Sequence, residues 1–268
     1  MLKPLLAALL SAATAAPGLA QTPDEWDFGR DAENKLVIAA VTFESFGVAV
    51  RCRDNVLSVV VAGLPAGPTE RIIDYSMAGS SPDDTRWISA PGSPSAFALW
   101  PASIAADLRK GGRLSLGVPD GERTRRIAVD LPASTTSIDQ VLSACGREIP
   151  VDSNDEPTGS NLGSLVWRQA PEPRFPDRTS SAAGVAALQC KVTRTGGLRA
   201  CRVESEFPEG GGFGRAATLG AHTTGRIGFP PGETGVLEDR EISFVVRYMM
   251  SDGLTLAPAP SRLPSSPL

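Results

Sequence analysis

The sequence predicts an α+β protein of two small domains, each with one intradomain disulfide. Three observations point there. β-Branched, strand-like runs are interspersed with a few short amphipathic stretches. A segment at 148–164, dominated by Pro, Ser, Asp, Asn and Gly, reads as a linker. Four cysteines, Cys52, Cys145, Cys190 and Cys201, fall two on each side of it.

The chain opens with Lys3 and an apolar run from Leu5 to Ala16, broken by Pro17-Gly18 before Leu19-Ala20. A short positive start, a short apolar run and small residues before the cut define a secretory signal peptide, residues 1–20, cleaved after Ala20. The run falls short of the roughly 20 residues that a membrane helix needs, so no membrane span is expected after cleavage. In an oxidising compartment four cysteines read as two disulfides. The 26 basic and 30 acidic residues leave a net charge of −4, which gives no electrostatic footing for nucleic acid. His222 is the one histidine. That excludes two-histidine metal sites and His–His relays, and any Ser-His-Asp arrangement would have to use His222. No metal, no cofactor and no enzymatic activity are expected.

The first domain, 21–147, opens with Leu36-Val37-Ile38. Val48 to Cys52 then pairs with Val56 to Val61 around the turn Asp54-Asn55. Further strands are expected near Arg71–Tyr75, Trp87-Ile88 and Ala96–Trp100. Pro101 suits the first position of a short helix that closes at Gly111-Gly112. Leu114–Val118 and Ile127–Leu131 make a hairpin around Asp120-Gly121. Ser137 is placed to cap a helix whose Ile138, Val141, Leu142 and Cys145 share one face. Cys145 is thus directed to the core, where Cys52 is its expected partner. That bond closes a loop of about 90 residues and is worth about 4–5 kcal/mol in the chain-entropy model.

The second domain, 165–250, begins with Leu165-Val166-Trp167 docking onto the body of that domain. In "ALQCKVTRTGGLRACRVESEF" the two halves pair around Thr195-Gly196, with Cys190 opposite Cys201. This register sends Leu188, Cys190, Val192, Cys201, Val203 and Ser205 inward. It sends Gln189, Lys191, Thr193, Arg202, Glu204 and Glu206 outward. Directly opposed cysteines lie within reach of a disulfide. The run Gly210–Gly214 reads as a turn into a helix with Phe213, Ala216, Ala217 and Gly220 on one face, Gly220 permitting close approach to the sheet. It lacks the Lys-Ser/Thr of a phosphate loop. Glu241–Tyr248 closes the domain as a strand. The tail, 251–268, is expected to be disordered.

"GVAALQCKVTRTGGLRACRVESEFPEGGGFGRAA", followed by "ISFVVRYMM", resembles the C-terminal domain of the TonB family over about 165–250. The shared pattern is a strand, a Gly-containing hairpin, a second strand, a Gly-Phe entry, an Ala-rich helix and a closing strand. Phe175-Pro176 stands where family members carry Tyr-Pro. The resemblance implies a periplasmic module that binds an extended peptide, or an envelope partner such as an outer-membrane receptor, by β-augmentation. Carried over here, the partner-strand edge is Ile242, Phe244, Val245, Val246 and Tyr248. Family transducers are anchored, and uncut residues 1–20 would make the chain one of these; a cleaved leader makes it an exported binding or adaptor protein. The first half bears a fainter resemblance to periplasmic proteins associated with type VI secretion. It is carried by Trp87, "SAFALWP", "LRKGGRLSL" and the Cys145 helix, and it assigns no site.

Overall fold

The computed structural model describes residues 25–90, 92–149, 156–177 and 179–250. The expected leader and tail lie outside these, as does part of the linker. The described chain is mostly β-sheet with three helices, an α+β fold.

Nine strands and two helices build the first half. In chain order they are β1 (Asp27–Asp31), β2 (Leu36–Thr42), β3 (Gly47–Arg53), β4 (Val56–Ala62), β5 (Glu70–Met77), β6 (Asp83–Ile88), β7 (Ser95–Ala98), α1 (Pro101–Lys110), β8 (Gly112–Asp120), β9 (Arg123–Leu131) and α2 (Thr135–Ala144). The strands form one sheet in the order β1-β2-β3-β4-β7-β6-β5-β8-β9. Alternation decides its faces: Val48, Val50 and Cys52 are buried on one side, while Ala49 and Arg51 face the other. The buried side closes over Ile104 and Leu108 of α1 and over Ile138, Val141 and Leu142 of α2. Trp26 Nε1 donates to the Pro132 carbonyl, tying the start of β1 to the end of β9.

Pro101 does begin α1, and Gly111, at φ 68°, ends it. A side chain at Gly111 would lie 2.5 Å from the Ala133 nitrogen, so only glycine fits there. α2 begins after Ser134, three residues before the expected cap at Ser137. Tertiary ties move the start: the Ser134 amide donates to the Arg109 carbonyl at 2.9 Å, and Arg109 pairs with Asp139. Cys52 and Cys145 are bonded, with Cα atoms 5.5 Å apart, joining β3 to the end of α2.

The second half adds β10 (Val166–Gln169), β11 (Ala183–Val192), β12 (Leu198–Phe207), α3 (Phe213–Thr223), β13 (Arg226–Gly228) and β14 (Glu241–Met249). Three strands form a sheet in the order β12-β11-β14, and β10 pairs with β13. Phe213, Ala217 and Ala221 of α3 pack on Leu188, Cys190, Ile242, Phe244 and Tyr248. Leu165 is buried in that core, and Trp167 meets Phe244 edge-on at 5.1 Å.

The hairpin register holds only in its middle. Leu188 pairs with Val203 and Gln189 with Arg202, and the Cys190–Cys201 bond forms as expected, with Cα atoms 4.1 Å apart. On either side the register slips by one, because one strand carries an extra residue at each place. Ala200, at φ 47°, takes up one slip beside the disulfide. The other falls at Glu204 and overturns the expected faces: Glu204 and Glu206 are buried, not exposed. Ser205, expected on the core side with Leu188 and Cys190, instead turns to the first half, where its Oγ donates to the Leu99 carbonyl. A bulge exchanges the faces of all residues beyond it. Gly220 also differs from expectation. A side chain there would lie 2.8 Å from Pro173, so at Gly220 the close approach to α3 is made by the 171–176 segment, while the sheet meets α3 at Phe213, Ala217 and Ala221.

The face of the three-stranded sheet opposite α3 is covered by the first half. Val185, Ala187, Phe207 and Val245 pack against Ile88, Leu99 and Trp100. Polar ties frame this contact: Arg51 with Glu209 at 2.5 Å, Arg147 with Glu204 at 3.0 Å, and Arg247 with Glu70 at 2.7 Å.

Candidate functional site

β14 is the site's foundation. Its residues alternate in two respects at once. Ile242, Phe244, Val246 and Tyr248 turn their side chains to the α3 core. In an antiparallel ladder, alternate residues bond to the neighbouring strand and the rest point their main chain away. The bonds that flank the strand, Val192 N–H to the Arg240 carbonyl and Met250 N–H to the Ala182 carbonyl, set the even positions toward β11. Ser243, Val245, Arg247 and Met249 therefore present their N–H and C=O groups outward.

Ser243 is already occupied. Asn161 pairs with it through two main-chain bonds, at 2.8 and 2.9 Å, and Ser243 Oγ donates to the Gly159 carbonyl at 2.6 Å. The 156–165 segment thus runs from Glu156, paired with Arg202, to the β14 edge and on to Leu165 in the α3 core. Beyond Ser243 no described strand pairs with the outer side of β14. The open edge runs from Val245 through Arg247 to Met249.

Of the residues expected at this edge, Val245 alone offers its main chain outward. Ile242, Phe244, Val246 and Tyr248 lie on the same strand but serve its inner bonds and the core. Tyr248 is fixed there: its hydroxyl donates to the Phe213 carbonyl at 3.1 Å, and burial raises its pKa. Phe175 meets the Tyr248 and Phe213 rings edge-on. Arg247 and Met249 were not singled out from sequence. The signal was present in the alternation of Ser243, Arg247 and Met249 with apolar residues, which marks the odd positions.

The first half forms the rim of the edge. Arg247 donates to both oxygens of Glu70, and Arg86 holds Glu70 at 2.6 Å. Burial pushes the Glu70 carboxyl up, but its bonds to Arg247 and Arg86 outweigh that and hold it below the ordinary value.

Compared with known proteins, the chain matches no family model, no curated protein and no solved structure.

The other sequence features resolve into structure. The glycine run leads into α3 with Gly212 at φ 78°. The Gly214 amide at that helix start is taken by Glu206 Oε2 at 2.7 Å, so the chain's own carboxylate occupies the position an anion would seek. His222 is exposed on α3. Arg113 pairs with Asp130, while Arg123, Arg125 and Arg126 are exposed on β9. A cavity of about 430 Å³ opens beside α1, lined by Tyr75, Asp83, Ser103, Asp107, Lys110 and Thr158 among others. His222 does not line it. Among the described residues no group of three His, Cys, Asp or Glu side chains is placed to hold a metal. No described helix is long and apolar enough to cross a membrane.

Proposed function

We propose that this chain is an exported periplasmic binding or adaptor protein of two domains, whose C-terminal, TonB-like domain pairs an extended segment of an envelope partner with the outer edge of β14. The observation that carries this reading is the open main-chain edge at Val245, Arg247 and Met249, on an outer strand of the β12-β11-β14 sheet. An edge strand with unpaired N–H and C=O groups is a template for another strand. The chain's own Asn161 already uses it so at Ser243. The opposite face of the sheet is packed against the first half, and the β14 edge offers an extended partner main-chain bonds without dismantling a core.

Amide hydrogen exchange tests this directly. Linear peptides selected on the full chain by display are added in excess, and exchange is followed residue by residue. The Val245 and Arg247 amides, which face outward, are expected to slow at least tenfold. Those of Phe244 and Val246, already bonded to β11, should change little. Selected peptides that bind without slowing Val245 and Arg247 would show that the site lies elsewhere.

A further inference from the structure

The two sheets are stacked row over row. In the nine-stranded sheet, Phe97, Ile88 and Glu70 lie abreast on β7, β6 and β5. In the three-stranded sheet, Phe207, Val185 and Arg247 lie abreast on β12, β11 and β14. The Phe207 ring sits 5.4 Å from the Phe97 ring, and Arg247 bonds Glu70, so one row lies along the other. The next rows also correspond. Ser205, Ala187 and Val245 form one. Leu99, Arg86 and Ile72 form the other, since the Leu99 amide donates to the Arg86 carbonyl and Arg86 pairs with Ile72. Ser205 Oγ donates to the Leu99 carbonyl at 2.6 Å and joins the two. β14 therefore runs above β5, with Val245 in the row of Ile72.

The upper sheet stops at β14, whereas the lower one continues past β5 to β8 and β9. That continuation is a bare shelf: Pro119, Arg126 and Ala128 are exposed on it, and Ile72 at its margin is 46% exposed. A strand added beside β14 steps about 4.8 Å sideways, off β5 and over β8. Its residue opposite Val245 points the same way as Val245, toward the shelf.

We infer that the outer face of β5 and β8 is the second wall of the peptide site, and that the bound segment places an apolar side chain opposite Val245, against Ile72. This rests on the strand-edge reading and adds a specificity to it. Continuity is the argument. The apolar contact between the sheets runs through Ile88, Leu99, Trp100, Val185, Ala187, Phe207 and Val245, and Ile72, in the row of Val245, is the apolar side chain on the outer face of β5. An apolar side chain there prolongs that contact and removes Ile72 from water; a polar one leaves Ile72 wet.

The test uses fluorescein-labelled seven-residue peptides: alternating Thr and Val, the same with every Val replaced by Thr, and the first with alternate amides N-methylated. Each is titrated by anisotropy against the full chain and against Ile72→Asp and Ile72→Leu. The Thr/Val peptide is expected to bind the full chain at least tenfold more tightly than the all-Thr peptide. Ile72→Asp should erase that preference and Ile72→Leu preserve it. Ile72 is exposed, so both variants should melt with the parent; the peptide comparison on the unaltered chain does not depend on them. Equal binding of the Thr/Val and all-Thr peptides, or a preference indifferent to Ile72→Asp, overturns the shelf while leaving the edge intact. If the N-methylated peptide binds as well as its parent, or none of the three binds, the strand-edge reading itself fails.

Discussion

Glu204 shows how much a single residue can hide. Its side chain is fully buried, and both oxygens accept from Arg147 Nη1, at 3.1 and 3.0 Å. Arg202 Nε adds a third bond at 2.8 Å. Arg147 is nearly as buried, and burial lowers its pKa against the raising effect of Glu204. A buried pair is weak evidence of net stabilisation, because desolvating two charges consumes most of their attraction. Removing one partner is another matter, since it leaves the other charged and dry. Glu204→Ala should lower the unfolding free energy by about 3–5 kcal/mol, read from denaturant midpoints. Replacing Arg147 and Glu204 together with Met and Leu should restore most of that loss. An outward Glu204, as strict alternation predicts, would make the single substitution nearly silent. Alternation failed here because a bulge needs no marker residue, and nothing in "CRVESEF" announces one.

At the scale of the element, α3 was legible in its start and its apolar face, because Phe213, Ala217 and Gly220 keep helical spacing and a glycine run breaks the chain before them. Its neighbours were not. In an exposed helix, Gly→Ala gains about 1 kcal/mol from propensity. At Gly220 the added methyl would press on Pro173 at 2.8 Å. Gly220→Ala is therefore expected to destabilise by about 1–3 kcal/mol, the usual cost of overpacking, as a lower thermal midpoint. A gain in stability would mean that the 171–176 segment yields freely. β14 repeats the lesson for strands. Its existence followed from the β-branched run, and the residues of its edge followed from alternation once its inner partner was known. Sequence named the strand, and pairing with β11 told which half of its main chain was left over.

Across the whole molecule, the described residues of the two halves meet in an apolar cluster, in the Ser205–Leu99 hydrogen bond and in ion pairs at Glu209, Glu204 and Glu70, of which Glu70–Arg247 lies at the rim of the proposed site. The depressed Glu70 pKa makes this contact pH-dependent. Its contribution is complete above the unfolded carboxyl value of about 4.3 and is lost as pH falls through the lower folded value. Glu156 runs the other way: burial raises its pKa despite Arg202, so protonating it relieves a cost. Between pH 7 and pH 3 the parent chain should lose more stability than Glu70→Gln, whose acid limb should be flatter in urea unfolding. Parallel pH profiles for the two proteins would show that Glu70 contributes nothing to the joint. The contact is partly solvent-exposed, so the difference should be modest.

What the sequence alone determined is local in origin. Alternation marked the strands, Pro101 and Gly111 bounded a helix, and the placement of four cysteines paired Cys52 with Cys145 and Cys190 with Cys201. These are properties of period and of near neighbours, and they survive whatever the rest of the chain does. Tertiary structure decided the rest: the bulge that buries Glu204, the Pro173 contact at Gly220, the seating of one sheet on the other, and the edge from Val245 to Met249 that no described strand pairs with. Each depends on which distant segment arrives beside a given residue. Main-chain groups are identical at every position, so no side chain records which of them will be left without a partner.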